Sequence, residues 1–157
     1  MVANGTPNVN RPPGHRARHA GTLARVTDPG RSLTPYDDPL LYRMLHDEWS
    51  GDVPFYASLA ERARGPSGAS ETSGATLECG IGTGRLAIAL ARLGHAVHGV
   101  DREPGMLATL ADRLDAEAPD VRARVSFERA DVATMRLGRS FSLVLVPYNG
   151  IAHLLDD

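Results

Sequence analysis

The chain has 157 residues, enough for one domain and short for two. Apolar residues make up 42% and charged residues 23%, so a modest core can form, while a net charge of −2 supplies no field to draw in nucleic acid or an anionic membrane. The single cysteine, Cys79, has no internal disulfide partner, the amino terminus from Met1 to Pro13 lacks the apolar run of a signal peptide, and no window approaches the roughly 20 apolar residues of a membrane span; the expected location is the cytoplasm.

Residues 1–33 carry Pro, Gly, Asn and scattered Arg and His with almost no large apolar residues, and read as a disordered tail, because too little surface can be buried to offset ordering. Residues 34–64 read as a helical cap. Asp38 is suited to cap a first helix with Pro39 in its first turn, and Leu40, Leu41, Met44, Leu45 and Trp49 recur at helical spacing before Gly51. Asp52 and Pro54 start a second helix that presents Phe55, Leu59 and Ala63. The Gly/Ser-rich stretch 65–74 is expected to be a flexible loop.

From Ala75 strands and helices alternate. Thr76 to Cys79 reads as a short buried strand, then come a glycine loop and a helix from Arg85 to Leu93. Ala96 to Val100 is a second strand ending at Asp101, and Pro104 opens a helix whose inward face is Met106, Leu107, Leu110 and Leu114. Val125 to Arg129 is a third strand ending at Asp131. Phe141 to Val146 is a fourth, continuously apolar as in a parallel strand covered on both faces. This repetition predicts an α/β fold with a doubly wound, Rossmann-like parallel sheet occupying residues 75–157.

The centre of the pattern is Glu78-Cys79-Gly80-Ile81-Gly82-Thr83-Gly84, at a strand-to-helix junction. Glycines there permit positive φ and a close ligand, and the following helix amino terminus offers unpaired N–H groups. Two cofactors compete for such a loop. Gly82-x-Gly84-x-x-Ala87 fits a dinucleotide fingerprint, with Asp101 for the ribose, as in an NAD(P)-type oxidoreductase. Glu78 favours the other. A carboxylate at the end of a buried strand needs a positive or hydrogen-bonding partner; an anionic pyrophosphate would worsen its position, whereas the α-ammonium group of S-adenosyl-L-methionine would meet it. A Glu78 side chain pointing into solvent is the plain structural alternative.

The sequence here resembles a known family. Glu78-x-Gly80-x-Gly82-x-Gly84 is similar to the first motif of class I S-adenosylmethionine-dependent methyltransferases. Val100-Asp101 with Pro104-x-Met106-Leu107 is similar to the second, and Ala130-Asp131-Val132 and Phe141 to Val146 to the third and fourth. Tyr36-Asp37-Asp38-Pro39 with Phe55-Tyr56 resembles the amino-terminal helices of bacterial small-molecule members. The family often has Leu at Cys79 and Cys at Ile81, a swap that keeps the glycine frame, and Asp at Ser142, a departure in the fourth motif.

The resemblance implies methyl transfer to a small-molecule acceptor, with a catalytically silent cofactor-binding module as the alternative. It places the glycine loop and Cys79 under the methionine part of the cofactor, Glu78 at its ammonium, Asp101 on the ribose hydroxyls, Asp131 and the Val132 N–H on adenine, Met106 either against adenine or simply in the core, and Tyr36 closing over the top. Pro147-Tyr148-Asn149-Gly150 lies where an acceptor would sit. His153 is a candidate base or a structural helix residue; His95 and His98 have no metal-ligand spacing, and no metal is expected. A complete fold of this family continues with three more strands. The chain is therefore expected to be truncated after the fourth strand, leaving Leu143, Val144, Leu145 and Val146 as an open edge prone to self-association.

Overall fold

The computed structural model describes residues 38–47, 49–64, 75–148 and 150. The expected tail (1–33), the spacer 65–74, Tyr36, Asn149 and His153 lie outside the described residues.

Four parallel strands form one sheet in the order β3-β2-β1-β4: β1 is Thr76–Cys79, β2 Val97–Asp101, β3 Val125–Arg129 and β4 Leu143–Leu145. Glu78 pairs with Gly99 of β2 and with Leu145 of β4, which sets the register of β1 with its two neighbours. Among the described residues five helices accompany it: α1 (Pro39–His46), α2 (Val53–Arg64), α3 (Arg85–Arg92), α4 (Pro104–Asp115) and α5 (Pro119–Ala123).

Alternation along the strands sorts the core into two clusters. Val97, Val125 and Leu145 face the helices, where Leu86, Ile88 and Leu90 of α3 and Leu107, Leu110 and Leu114 of α4 close over them. Leu77, Cys79 and Val100 face the other way, and among the described residues that side is covered by the segment from Ala130 to Phe141 rather than by a helix. The expected inward face of α4, including Met106, is fully buried.

Three expectations are corrected. The fourth strand is Leu143–Leu145, shorter than Phe141–Val146. It is not covered on both faces, since Val144 is 55% exposed, and it is not uniformly open either, since Leu145 is 4% exposed and belongs to the core. α1 ends at His46, well before Gly51, and its leucines do not point inward: Leu40, Leu41, Met44 and Leu45 are all exposed. Its seat is polar. Asp47, just past the helix, accepts from Arg113 Nη1 of α4 (3.2 Å), and the same nitrogen donates to the Thr83 carbonyl (2.9 Å). The expected cap geometry holds, with Asp38 Oδ1 accepting from the Leu40 and Leu41 N–H groups (3.0 and 3.1 Å) and Pro39 in the first turn.

Candidate functional site

A cavity of about 500 Å³ opens at the carboxyl ends of the strands, within the range of small-molecule sites. Its floor is the glycine loop. Gly80, Gly82 and Gly84 all have positive φ (74°, 54° and 80°), which an L side chain resists. Beyond Gly80 there is open space where a side chain would stand, and at Gly82 the nearest atom is Tyr42 Cε1 at 3.8 Å. A ligand can thus lie directly on the backbone. At Gly84 the reason is packing: a methyl group would overlap Leu110, and Gly84 is also the amino-terminal cap of α3.

Asp101 ends β2 and shapes this loop. Its Oδ2 accepts the Gly82 N–H (2.8 Å) and its Oδ1 the Glu103 N–H (2.9 Å), so both oxygens are fixed in direction while each keeps a lone pair for a ligand. Glu78 lies on the same face of the sheet, two register positions away, because it pairs with Gly99. It is 3% exposed, and its Oε2 has no hydrogen-bond partner. Burial pushes its carboxyl up to about 8, with Arg85 pulling it down through space and Asp101 and Asp52 pushing it further up. The solvent-pointing alternative for Glu78 is thereby excluded.

Asp131 follows β3 at the far end of the cavity and holds the turn there, its Oδ1 accepting the Ala133 N–H (2.9 Å). Val132 lines the same end and packs on the second core cluster. Met106 belongs to the cavity wall yet is 1% exposed, so it offers little surface to a ligand. Cys79 sits in the floor, 3% exposed, its thiol pushed up by burial and by Glu78.

Of the roof, the sequence pointed to the segment of Tyr148 and not to α1. Tyr42 and His46 of α1 and Tyr148 beyond β4 line the cavity, with ring centroids 4.5 Å apart for Tyr42–His46 and 5.4 Å for His46–Tyr148. The sequence did carry a faint signal: Tyr42 and His46, four apart, share the α1 face opposite the leucines. Arg85 of α3 stacks over Tyr148 (4.5 Å) and donates to Asp52 Oδ1 and Oδ2 (2.8 and 2.6 Å) and to the Trp49 carbonyl (2.6 Å). His95 and His98 lie elsewhere, His95 against Arg64 and His98 between Ser126 and Glu128 on the opposite sheet face.

Comparison with known proteins identifies the frame. The family described as "Methyltransferase domain" matches residues 76–157. This chain belongs to that family. Among solved structures, the glycopeptide N-methyltransferase MtfA complexed with sinefungin is 28% identical with a TM-score of 0.57, covering 69% of this chain and 44% of its own. The CcbJ methyltransferase from Streptomyces caelestis is 32% identical with a TM-score of 0.51, covering 66% of this chain and 41% of its own. A third, S-adenosylmethionine-bound CalS10, an amino pentose methyltransferase from Micromonospora echinaspora, shares the fold at 21% identity and a TM-score of 0.55. The chain spans about half or less of the length of these neighbours. No curated protein matches it. The α/β, Rossmann-like parallel sheet read from the sequence is the fold of this methyltransferase-domain family.

Proposed function

We propose that the chain binds S-adenosyl-L-methionine and serves methyl transfer to a small-molecule acceptor. The observation that carries this reading is Glu78: a buried carboxylate with one oxygen unpartnered, in the lining of a cavity floored by glycines. Such a group calls for a cation with N–H donors, which an amino-acid ammonium supplies and a dinucleotide pyrophosphate does not. Under this reading Glu78 holds the ammonium, Gly80 and Gly82 pass beneath the methionine part, and Asp101 accepts the ribose hydroxyls with the lone pairs left by Gly82 and Glu103. Asp131 and the Val132 N–H meet the adenine, and Met106 backs the wall.

When bound, the cofactor supplies a methyl group on an already activated sulfonium. The protein's own task is then to hold the partners in reactive geometry and exclude water, an effect worth up to roughly 7–11 kcal/mol. The experiment is calorimetric titration of the chain with S-adenosylhomocysteine and, in parallel, NADH. Uptake of the first alone is expected; uptake of NADH alone would overturn the reading.

A second reading is a cofactor-binding module without turnover. Turnover with a small-molecule acceptor panel separates the two. Exposed Val144 on β4 supports self-association through that strand, and sedimentation velocity tests it. No described helix is long and apolar enough to cross a membrane, and a cytoplasmic location is part of the same proposal.

A further inference from the structure

In the proposed function Glu78, Asp101 and Asp131 have tasks and the roof has none. Tyr148 adopts φ 53°, a region that non-glycine residues visit rarely and that the surrounding structure must impose. Its ring is fixed between the His46 ring and the Arg85 guanidinium, itself pinned by Asp52. His46 is half-buried, and its other ring neighbour, Tyr42, stands over Gly82. The roof is therefore a built surface directly above the loop.

The strand order fixes what that surface faces. Along the carboxyl ends the cavity runs from the β3 end (Asp131) through the β2 end (Asp101) and the β1 end (Glu78) to the β4 end (Tyr148). With adenine at β3, ribose at β2 and the amino acid at β1, the space under α1 and beside β4 is what remains for the reacting group and its acceptor. Glu78, Asp101 and Asp131 are occupied in that arrangement, Glu103 lies beside Arg102 (3.6 Å), and Cys79 is sealed in the floor. Among the described residues, His46 is the imidazole on the cavity wall.

We infer that His46 faces the methyl group in transfer and receives the acceptor's proton, an inference that rests on the proposed function. The acceptor is then an N–H or O–H compound with a flat or apolar body that can lie against Tyr42 and Tyr148. Its lone pair forms the bond to the methyl carbon, the electrons of the broken carbon–sulfur bond stay on sulfur, and the proton leaves the acceptor atom for an imidazole nitrogen of His46, from which water removes it.

The test is nuclear magnetic resonance of histidine-labelled protein titrated with S-adenosylmethionine and, separately, with S-adenosylhomocysteine, which differ by one methyl group and one positive charge. The His46 ring resonances are expected to differ between the two complexes several-fold more than those of His98, which sits on the opposite sheet face and serves as the internal reference. Equal differences at His46 and His98 overturn the inference. A second measurement uses His46→Leu, expected to weaken S-adenosylmethionine at least threefold more than S-adenosylhomocysteine; equal weakening marks a merely structural role and also overturns it. Should that variant fail to fold, the resonance comparison on the parent chain, assigned through its backbone correlations, still decides. If neither ligand binds, the proposed function falls too; if both bind and His46 does not respond, only this inference falls.

Discussion

Arg85 acts on Glu78 through space alone, because its guanidinium hydrogen bonds go to Asp52 and to the Trp49 carbonyl, while Glu78 Oε2 accepts from no protein group. The cavity thus keeps a carboxyl group that is costly to ionise until a donor arrives from outside.

A pH dependence follows. Glu78 in the folded chain releases its proton at about 8, against an ordinary 4.5. Between these values the folded state holds a proton that the unfolded state has lost, so stability falls as pH rises through the window, by at most about 1.4 kcal/mol per pH unit, and levels off above 8. His95 and His98, lowered by burial, contribute with the opposite sign near and below pH 6.5. The difference between the parent and Glu78→Gln isolates the Glu78 part, and urea unfolding from pH 5 to 9 should show that difference growing with pH. A flat difference contradicts the assignment.

Ligand binding should carry the same proton. An ammonium group stabilises the ionised carboxylate, so S-adenosylhomocysteine binding at pH 7 is expected to release close to one proton from Glu78. Calorimetry in buffers of differing ionisation heat measures it. Glu78→Gln should abolish the release and weaken binding about tenfold or more, as for loss of a hydrogen bond to a charged group.

Asp101→Asn replaces an acceptor of two backbone N–H groups by a side chain with one acceptor and one donor. Either Gly82 or Glu103 then faces an N–H group. The variant should lose about 1–3 kcal/mol of stability and most of its affinity for S-adenosylhomocysteine. Thermal unfolding and calorimetry together check this, and unchanged affinity would remove Asp101 from the ribose role.

Gly84 and Gly94 separate strain from crowding. Both have positive φ (80° and 88°), but a methyl at Gly84 overlaps Leu110 while at Gly94 it meets nothing within 4 Å. Gly94→Ala should cost about 1 kcal/mol and Gly84→Ala about 2–4 kcal/mol, read by denaturant unfolding. Equal losses would show that α4 gives way to the added group.

Much of this arrangement could be read from the chain. The inward face of α4 follows from helical spacing, the glycine loop and Asp101 from their places at strand ends, and Thr76–Cys79 and Val125–Arg129 stand where they were expected. Orientation of α1 could not be read. Its leucines have the spacing of an inward face, yet Arg113, Asp47 and Thr83 seat the helix by its polar side, and such long-range partners leave no periodic trace. α5 escaped notice because five residues are too few to show a period. Val144 and Leu145 have the same chemistry and opposite burial, a difference that strand register decides.

The pairing of Glu78 with Gly99 has a consequence for how such a protein matures. A slip of β2 by one place would turn His98 and Val100 toward the helices and bring Ile81 against a side chain, since Gly99 alone leaves room for it. The same slip would carry Asp101 to the wrong side. Alignment errors between β1 and β2 and errors in the spacing of the two carboxylates are thus one event.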